Sequence, residues 1–427
     1  MLLAASKNVD ITAPIGLAMA GFEEREHGST GILNPLQASV LVLACDKSKV
    51  AIVTLDVGGI DNNLVKEVRE RVSAKTDIDS AAIMICATHT HSGPTASRLG
   101  VGSMFPMENV TPADEHYYAN LIETLAGAII WVNDELEEAT ISSFQTELLG
   151  IGSNRIEHSR YCNNNLTVLK VENKNGELLS ILCHYACHPT ILNYENFLYS
   201  GDYISFYREA LRKIYPQAGL LFVQGCAGNV STRHYRKGFG QAEAARMGKI
   251  LAGGVLRALM MADPLPVDSL SFAIEPLELK VRDFDSEEVC LAKIKFAEDE
   301  MARLKAENAP VNIQRTAYVE WQGATRYYRR AKKINSDKIA SEMQVFKIGN
   351  WQIISTPGET FGEIGLAISK LSATPTIVSG YTNDSVSYIP TKETYDNPVG
   401  YEVNVAIVAR DSEDRILAAA ESLLKKV

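Results

Sequence analysis

Hydrophobic positions along the chain recur with two spacings, one typical of strands and one typical of helices. Two apolar segments, residues 38–45 and 50–56, flank Asp46-Lys47-Ser48-Lys49 and predict a β-hairpin. Residues 63–75 keep apolar side chains at helical spacing, and the β-favouring segment 83–87 follows. This strand–helix–strand order predicts a parallel crossover, with functional residues at the carboxyl end of its second strand.

The rest of the chain also contains both predicted helices and predicted strands. Predicted helices cover residues 114–136, 203–214, 242–261, 361–371 and 411–425; predicted strands cover residues 139–149, 166–172, 178–185, 219–223 and 375–380, with a hairpin over 343–355. We therefore expect an α/β fold, with a mixed β-sheet core and flanking helices, as a single domain over residues 1–427.

Residues 284–340 differ in character from this core. They are charged and helix-prone from Glu287 to Glu307, and then aromatic and basic from Tyr318 to Lys333. We interpret them as a helical insertion over the core. A solvated helical pair is the interpretation that charge runs favour, and a lid over a site is the alternative.

Composition and charge exclude several classes of protein. The hydrophobic fraction of 46% and charged fraction of 22% suit a globular chain with a substantial core. A net charge of −10 argues against affinity for nucleic acid or anionic membranes. No apolar stretch reaches about 20 residues, so no stable membrane insertion is expected. The first residues lack the features of a secretory signal, so we expect a cytoplasmic protein, or a secreted one if the chain is a trimmed mature form.

The seven cysteines do not form a disulfide framework. Their number is odd, and most lie inside apolar, strand-like segments. This pattern predicts buried, reduced thiols.

A pair of histidines follows the predicted strand 83–87. His89 and His91 precede Gly93-Pro94, which ends the strand. In an extended strand alternate side chains share a face, so both imidazoles can converge on one cation or one substrate. A hydrogen-bonded histidine pair at a sheet end is the alternative.

A second histidine segment ends the predicted strand 178–185. His188 has the same end-of-strand setting as His89, whereas His184 is better interpreted as a core residue. Cys183 and Cys187 fall on the opposite strand face, which makes a mixed cysteine–histidine zinc site geometrically awkward.

Two further strand ends carry polar side chains. Residues 224–231 form a Gly-rich turn that could bring backbone amides close to a ligand and present Ser231, or could be an ordinary tight turn. Glu359 lies where a helix begins, so it either caps that helix or points into a cleft as a ligand. Catalytic zinc commonly takes two histidines and one glutamate, which His89, His188 and Glu359 would supply.

Together these motifs resemble a known family. In chain order they are Ala87-Thr88-His89-Thr90-His91-Ser92-Gly93-Pro94, His188-Pro189-Thr190, Gly228-Asn229-Val230-Ser231, Pro357-Gly358-Glu359 and Ser387-Tyr388-Ile389-Pro390-Thr391. Asp10-Ile11-Thr12 and Asn154-Arg155 add to the likeness. The chain resembles the catalytic N-terminal domain of the neutral/alkaline (non-lysosomal) ceramidase family.

The resemblance implies a zinc-dependent hydrolase that cleaves an N-acyl amide bond with a metal-activated water. It implies Zn²⁺ ligands at His89, His188, Glu359 and Tyr388, substrate contacts at Arg155 and Tyr401, a proton shuttle at His91 near the scissile amide, and a catalytically important hydroxyl at Ser231. Arg155 would steady the developing oxyanion, and Ser231 would orient water or substrate.

The sequence also departs from the family. Gly93-Pro94-Thr95-Ala96 stands for Gly-Pro-Gly-Gly, and Ser231-Thr232-Arg233 stands for Ser-Pro-Asn. We expect no C-terminal immunoglobulin-like domain. Two alternatives therefore stay open: an ester or lactone hydrolase acting on a small, soluble, sugar-like substrate, and a metal-stabilised binding protein without turnover. The expected partner is a small-molecule or lipid-like substrate, and no oligomeric state is predicted.

The charge and the insertion generate a prediction about substrate. The insertion mixes aromatic with basic side chains, a mixture that suits a polar or anionic ligand better than an acyl chain. These residues are Tyr318, Trp321, Tyr327 and Tyr328, with Arg326, Arg329, Arg330 and Lys332. Purified, zinc-loaded protein should therefore hydrolyse short N-acyl compounds better than micellar long-chain ceramides. Release of fatty acid that rises with acyl length would contradict the prediction.

Overall fold

The structure is a computed structural model that describes residues 1–94, 96, 111–398 and 400–427. In these residues two larger β-sheets, three two-stranded sheets and the surrounding helices make up the fold. The strands are β1 (Leu2–Asp10), β2 (Gly31–Ile32), β3 (Gln37–Cys45), β4 (Ser48–Leu55), β5 (Ile83–Ala87), β6 (Glu137–Glu147), β7 (Ser153–Asn154), β8 (Asn165–Asn173), β9 (Leu178–Tyr185), β10 (Leu198–Tyr199), β11 (Gly219–Gln224), β12 (Val230–Ser231), β13 (Asp263–Leu265), β14 (Leu270–Lys280), β15 (Lys338–Ile348), β16 (Trp351–Ser355), β17 (Glu359–Thr360), β18 (Thr376–Ser379) and β19 (Tyr388–Ile389). The α-helices are α1 (Asn62–Ser73), α2 (Pro112–Asp134), α3 (Tyr203–Arg212), α4 (Gln241–Met261), α5 (Glu287–Ala306), α6 (Val311–Lys333), α7 (Gly362–Ser369), α8 (Lys392–Asp396), α9 (Tyr401–Val405) and α10 (Ser412–Leu424). The two-stranded sheets are β2–β10, β7–β12 and β17–β19. The predicted α/β class, with a mixed β-sheet core and flanking helices, is confirmed.

The larger sheet runs in the order β11-β9-β8-β6-β1-β3-β4-β5, with β13 paired to β6. The predicted hairpin is confirmed by the antiparallel β3–β4 pair, and the predicted crossover by the parallel β4–β5 pair. Strand β11, at one edge of the sheet, lies against β3 and β4 near the other edge. Ser39 Oγ on β3 donates to the Leu220 carbonyl at 2.9 Å, and the Phe222 N–H donates to Thr54 Oγ1 on β4 at 3.3 Å. As a result, the loops after β5, β9 and β11 lie together.

The smaller sheet runs in the order β14-β15-β16-β18 and contains the predicted hairpin, β15–β16. Its β18 runs parallel to β16. Isolated bridges from Cys86 to Thr382 and from Gly225 to Ser379 join this sheet to the ends of β5 and β11. The loops of both sheets thereby meet at one place.

The charged insertion forms two helices that differ in their surroundings. Helix α5 is largely exposed, with the Phe296 ring 76% exposed, in agreement with a solvated helix. Helix α6 is not, because it buries Gln322, Arg326 and Tyr327 and packs along α9. The interpretation of a solvated helical pair is wrong for α6, whose aromatic and basic face lies against the protein.

The cysteine prediction is confirmed, since all seven cysteines are free thiols, and all but Cys162 are fully buried. Among the described residues, no helix has both the length and the apolar character that crossing a membrane would require.

A buried ion pair joins the larger sheet to α3 beneath the meeting loops. Arg208 Nη1 donates to both Asp56 oxygens, at 2.8 and 2.7 Å. Thr88 Oγ1 donates to the same carboxylate at 3.1 Å, and so does the Gln37 backbone N–H at 3.0 Å. Asp56 therefore connects the end of β4 with the residue that immediately precedes His89.

Replacing Asp56 should destabilise the fold strongly. Asp56→Ala leaves the Arg208 cation buried without its partner, which costs about 3–5 kcal/mol of unfolding free energy. Equilibrium urea denaturation measures this cost. Asp77→Ala is the matched control, because its ion pair with Lys49 is exposed and is worth below about 1 kcal/mol. Equal losses in the two variants would contradict the prediction.

Candidate metal centre

Three histidines and one glutamate from three segments of the chain converge in the interior. His89 and His91 follow β5, His188 follows β9, and Glu359 lies in β17 just after β16. All four side chains are buried. The reactive nitrogens of the three imidazoles lie within 4.8 Å of one another.

His89 reaches the site through a turn. Strand β5 ends at Ala87, and His89 has the left-handed backbone angle φ of 63°, so the expectation that His89 and His91 share a face of an extended strand is wrong. The turn nevertheless brings the two Nε2 atoms to 3.3 Å. His89 Nδ1 lies 2.5 Å from the Gly58 carbonyl oxygen, which can only accept, so Nδ1 carries the proton.

His188 is oriented in the same way. It lies beyond the end of β9, where it forms an isolated bridge with Ser231. Its Nδ1 donates to the Ala227 carbonyl at 2.7 Å, which turns Nε2 towards the cluster. His184 points elsewhere, with Nε2 3.3 Å from the Val378 carbonyl oxygen, which confirms its interpretation as a core residue.

Glu359 is a site residue and does not cap a helix. Helix α7 begins only at Gly362, and its first-turn acid is Glu363. Strand β17 pairs with β19 so that Glu359 lies directly beside Tyr388. Glu359 Oε2 is 2.9 Å from His188 Nε2 and 3.3 Å from His89 Nε2.

The Gly-rich turn, residues 224–231, packs against the backbone of the strand that carries Glu359. A Cβ atom at Gly228 would lie 2.3 Å from the Glu359 carbonyl oxygen, so only glycine fits there. The Gly228 N–H donates to the Thr360 carbonyl at 2.9 Å. The predicted close backbone approach is therefore made to β17.

The charges of this cluster suit a cation. Both Nδ1 protons are taken by carbonyls, so the Nε2 lone pairs of His89 and His188 face the Glu359 carboxylate. Burial lowers the pKa of His188 to about 4, which keeps that imidazole neutral. Burial would raise the pKa of Glu359, whereas positive charge beside it, at His89 and His188, holds that pKa well below its usual range, so a cation at this position keeps the carboxylate ionised. Its second oxygen, Oε1, has no hydrogen-bond partner among the described residues.

Two nitrogen lone pairs and a carboxylate repel one another unless a positive charge lies between them. Nitrogen and carboxylate ligands of this kind are those that zinc takes. His91 belongs to the same cluster, where burial and the neighbouring His89 and His188 lower its pKa well below the usual value. The residues present therefore fit a bound divalent metal ion.

Beside the cluster, a tyrosine and an arginine form a second pair. Arg155 Nη2 donates to the Tyr388 hydroxyl at 2.8 Å, and Arg155 Nε pairs with Glu402. Burial raises the pKa of Tyr388, while the Arg155 cation opposes that rise. The Tyr401 ring meets the Tyr388 ring edge-on, with centroids 6.1 Å apart.

Ser231 lies next to His188, and its hydroxyl makes one long hydrogen bond in the described part of the chain. Its Oγ accepts the backbone N–H of Arg233 at 3.3 Å. Within the described ranges, no histidine or carboxylate hydrogen-bonds this hydroxyl. The structure thus brings all eight predicted site residues into one region, although Ser231 lacks an adjacent base.

Sequence reasoning missed three contributors. The Tyr381 ring stacks on His89 with centroids 4.2 Å apart, Glu402 holds Arg155, and the Gly58 carbonyl orients His89. Glu402 had a detectable signal, because it directly follows Tyr401. A backbone carbonyl leaves no trace in a sequence.

Comparison with known proteins agrees with this geometry. The family model "Neutral/alkaline non-lysosomal ceramidase, N-terminal" matches residues 3–211. The predicted resemblance to this family is confirmed. Among the metal-centre residues, His89, His91 and His188 lie inside the matched range, and Glu359 lies beyond it.

The similarity to individual ceramidases is distant in sequence and extensive in fold. Neutral ceramidase of Pseudomonas aeruginosa is 26% identical over 52% of this chain and 36% of its own length. Neutral ceramidase B of Dictyostelium discoideum is 27% identical over 29% of this chain and 18% of its own length. The matches thus span about a third or less of those relatives.

Two solved structures share the fold over nearly the whole chain. The crystal structure of neutral ceramidase from Pseudomonas aeruginosa has a TM-score of 0.75 at 19% identity, covering 99% of this chain and 75% of that one. A structure titled "Ceramidase complexed with C2" has a TM-score of 0.76 at 17% identity and covers 74% of that chain.

The geometry predicts a single zinc ion per chain. His89→Ala, His188→Ala and Glu359→Gln should each reduce bound zinc from about one equivalent to a small fraction, because each removes a buried ligand. Elemental analysis after dialysis measures the occupancy. His234→Ala is the control, since His234 is exposed. Full zinc occupancy in the His89 variant would contradict the prediction.

Proposed function

We propose that this protein is a zinc-dependent hydrolase that cleaves an N-acyl amide bond. The observation that carries the proposal is the convergence of His89, His188 and Glu359 beside the Arg155–Tyr388 pair. Those three residues, together with Tyr388, would hold the metal. The names of the two relatives described above, both neutral ceramidases, agree with an amide as the bond that is cleaved.

A bound zinc ion would supply Lewis-acid polarisation of the substrate carbonyl and would lower the pKa of a water molecule towards about 7. The protein's own residues do the rest. His91 is neutral and buried, and its Nε2 lies at the cluster, 3.3 Å from His89 Nε2, so this nitrogen can accept a proton from water there and return it to the leaving amine.

Arg155 is positioned to stabilise negative charge that develops on the carbonyl oxygen. Its guanidinium is held from two sides, by Glu402 at Nε and by the Tyr388 hydroxyl at Nη2. A donor held in place before the reaction needs no reorganisation when the charge appears. Tyr401, beside Tyr388, would contact the substrate.

Ser231 has a supporting role in this proposal. A serine nucleophile needs an adjacent base, and in the described part of the chain the Ser231 hydroxyl is hydrogen-bonded to a backbone N–H and to no base. It would therefore orient water or substrate.

Two other functions use the same site. An ester or lactone hydrolase acting on a small polar substrate would need the same polarised carbonyl and the same Arg155. A metal-stabilised binding protein would need the ligands alone. The doubly held Arg155 favours a catalyst, because a cation of this kind is not required merely to hold a metal.

An activity panel tests the proposal. Zinc-loaded protein should release amine from short N-acyl compounds, a chelator should abolish release, and added zinc should restore it. Arg155→Gln should lower kcat by about 100-fold while zinc occupancy stays unchanged, since it removes a donor to the developing oxyanion. Arg160→Gln is the matched control, because Arg160 pairs with Glu157 at the surface.

Three results would count against the proposal. Turnover that is insensitive to the chelator would remove the metal from the reaction. Preference for esters or lactones over amides would favour the sibling activity. A covalent acyl group on Ser231, found by mass spectrometry of quenched reactions, would overturn the role given to that residue.

A further inference from the structure

Helix α6 forms one wall beside the metal centre. Its Arg326 guanidinium lies over the Tyr401 ring, 5.3 Å from the centroid, and Tyr401 in turn contacts Tyr388. One helical turn further on, Arg330 Nη1 donates to Ser387 Oγ at 3.0 Å. Ser387 directly precedes Tyr388, and its carbonyl accepts the Glu359 N–H at 2.9 Å. Arg330 is therefore attached to the same short backbone segment as the proposed ligands.

Arg330 has no carboxylate partner among the described residues. Arg25 and Arg233, which also lie near the site, share this feature, but their guanidinium groups donate to backbone carbonyl oxygens. Arg155 pairs with Glu402, Arg326 with Glu23 and Arg315 with Glu24. Within the part of the chain that the structure describes, no aspartate or glutamate oxygen comes within 4.0 Å of the Arg330 guanidinium. Among the described residues, the Ser387 hydroxyl is the one acceptor that the five N–H donors of the Arg330 guanidinium contact.

This guanidinium is partly buried and still charged. Burial, together with the neighbouring Arg326 cation, lowers the pKa of Arg330 to about 10, while Glu359 and Tyr388 act in the opposite direction. A cation that is removed from water without a counter-charge is costly unless something else supplies that charge. Guanidinium groups bind carboxylate, sulfonate and phosphate oxygens with two parallel hydrogen bonds.

We propose that Arg330 binds an anionic group of the substrate next to the scissile bond, so that the enzyme prefers negatively charged N-acyl compounds to neutral ones. The anionic group of the substrate would pair with the Arg330 guanidinium, which has no carboxylate partner among the described residues. This inference rests on the proposed hydrolase function and narrows it to a substrate class. It also identifies Arg330 as a specificity-determining residue.

The first experiment compares matched substrates. N-octanoylglycine carries a carboxylate, N-octanoyltaurine a sulfonate, and N-octanoylethanolamine no charge. A second pair, N-succinyl- and N-pentanoylbenzylamine, places the charge on the acyl side. The wild-type kcat/KM should favour the charged member of at least one set by about 10- to 100-fold, the range for one charge-assisted hydrogen bond.

Two single variants distinguish the effect of Arg330 on substrate preference from that of the overall positive charge of α6. Arg330→Gln should reduce the kcat/KM ratio of charged to neutral substrate by about tenfold or more. Arg329→Gln is the matched control, because it is the neighbouring arginine on the same helix, is 54% exposed, and approaches Glu23 only to 3.8 Å. It should leave that ratio unchanged.

A binding measurement keeps the inference separate from catalysis. Hexanesulfonate, a weak metal ligand, should raise the thermal unfolding temperature of the zinc-loaded wild-type and Arg329→Gln proteins, and should not raise that of Arg330→Gln. If no amide is hydrolysed but this difference persists, the proposed function fails and the anion site stands. Equal turnover of charged and neutral substrates, or equal effects of the two variants in both assays, would overturn the inference.

Discussion

The arrangement of donors around Glu359 is the constraint on which the site depends. Carbonyl oxygens of Gly58 and Ala227 take the Nδ1 protons of His89 and His188, so both imidazoles present lone pairs to the Glu359 carboxylate. In a buried setting such a cluster is unfavourable until a cation joins it. Binding of the proposed metal ion would therefore be coupled to the folding of these loops, because the ion would supply the charge that the interior lacks.

The backbone around the proposed metal ligands is conformationally strained. His89, Tyr381 and Ser387 all adopt left-handed angles, with φ of 63°, 53° and 75°. Non-glycine residues in this region cost of order 1–3 kcal/mol each and persist only where surrounding contacts require them. Here the surroundings are the bridges that join the ends of the two sheets, with the buried Asp56–Arg208 pair beneath them. Strain is thus concentrated where the proposed ligands and their stacking partner lie.

Helix α6, which forms one wall of the site, places the positive charge of Arg330 beside it. In the proposed function, the Arg330 guanidinium would add no binding free energy for a neutral, two-chain lipid. An anionic substrate would neutralise its charge. The fold shared with neutral ceramidases extends over nearly the whole chain at 19% sequence identity or less in the two solved structures. A conserved fold can host different substrates when the residues that line its site differ.

The local pattern of residues determined the element types, the parallel crossover, the two hairpins and the polar strand ends, because each depends on neighbours in the chain. Motif order also identified the eight candidate site residues. Only the tertiary structure decided which histidine nitrogen faces inward, since Gly58 is 31 residues from His89 and contributes only a carbonyl. It also decided that α6 is a wall and not a solvated helix, and that Arg330 lacks a carboxylate partner among the described residues. Charge pairing between distant segments leaves no periodic signal in a sequence, so its presence or absence emerges only on folding.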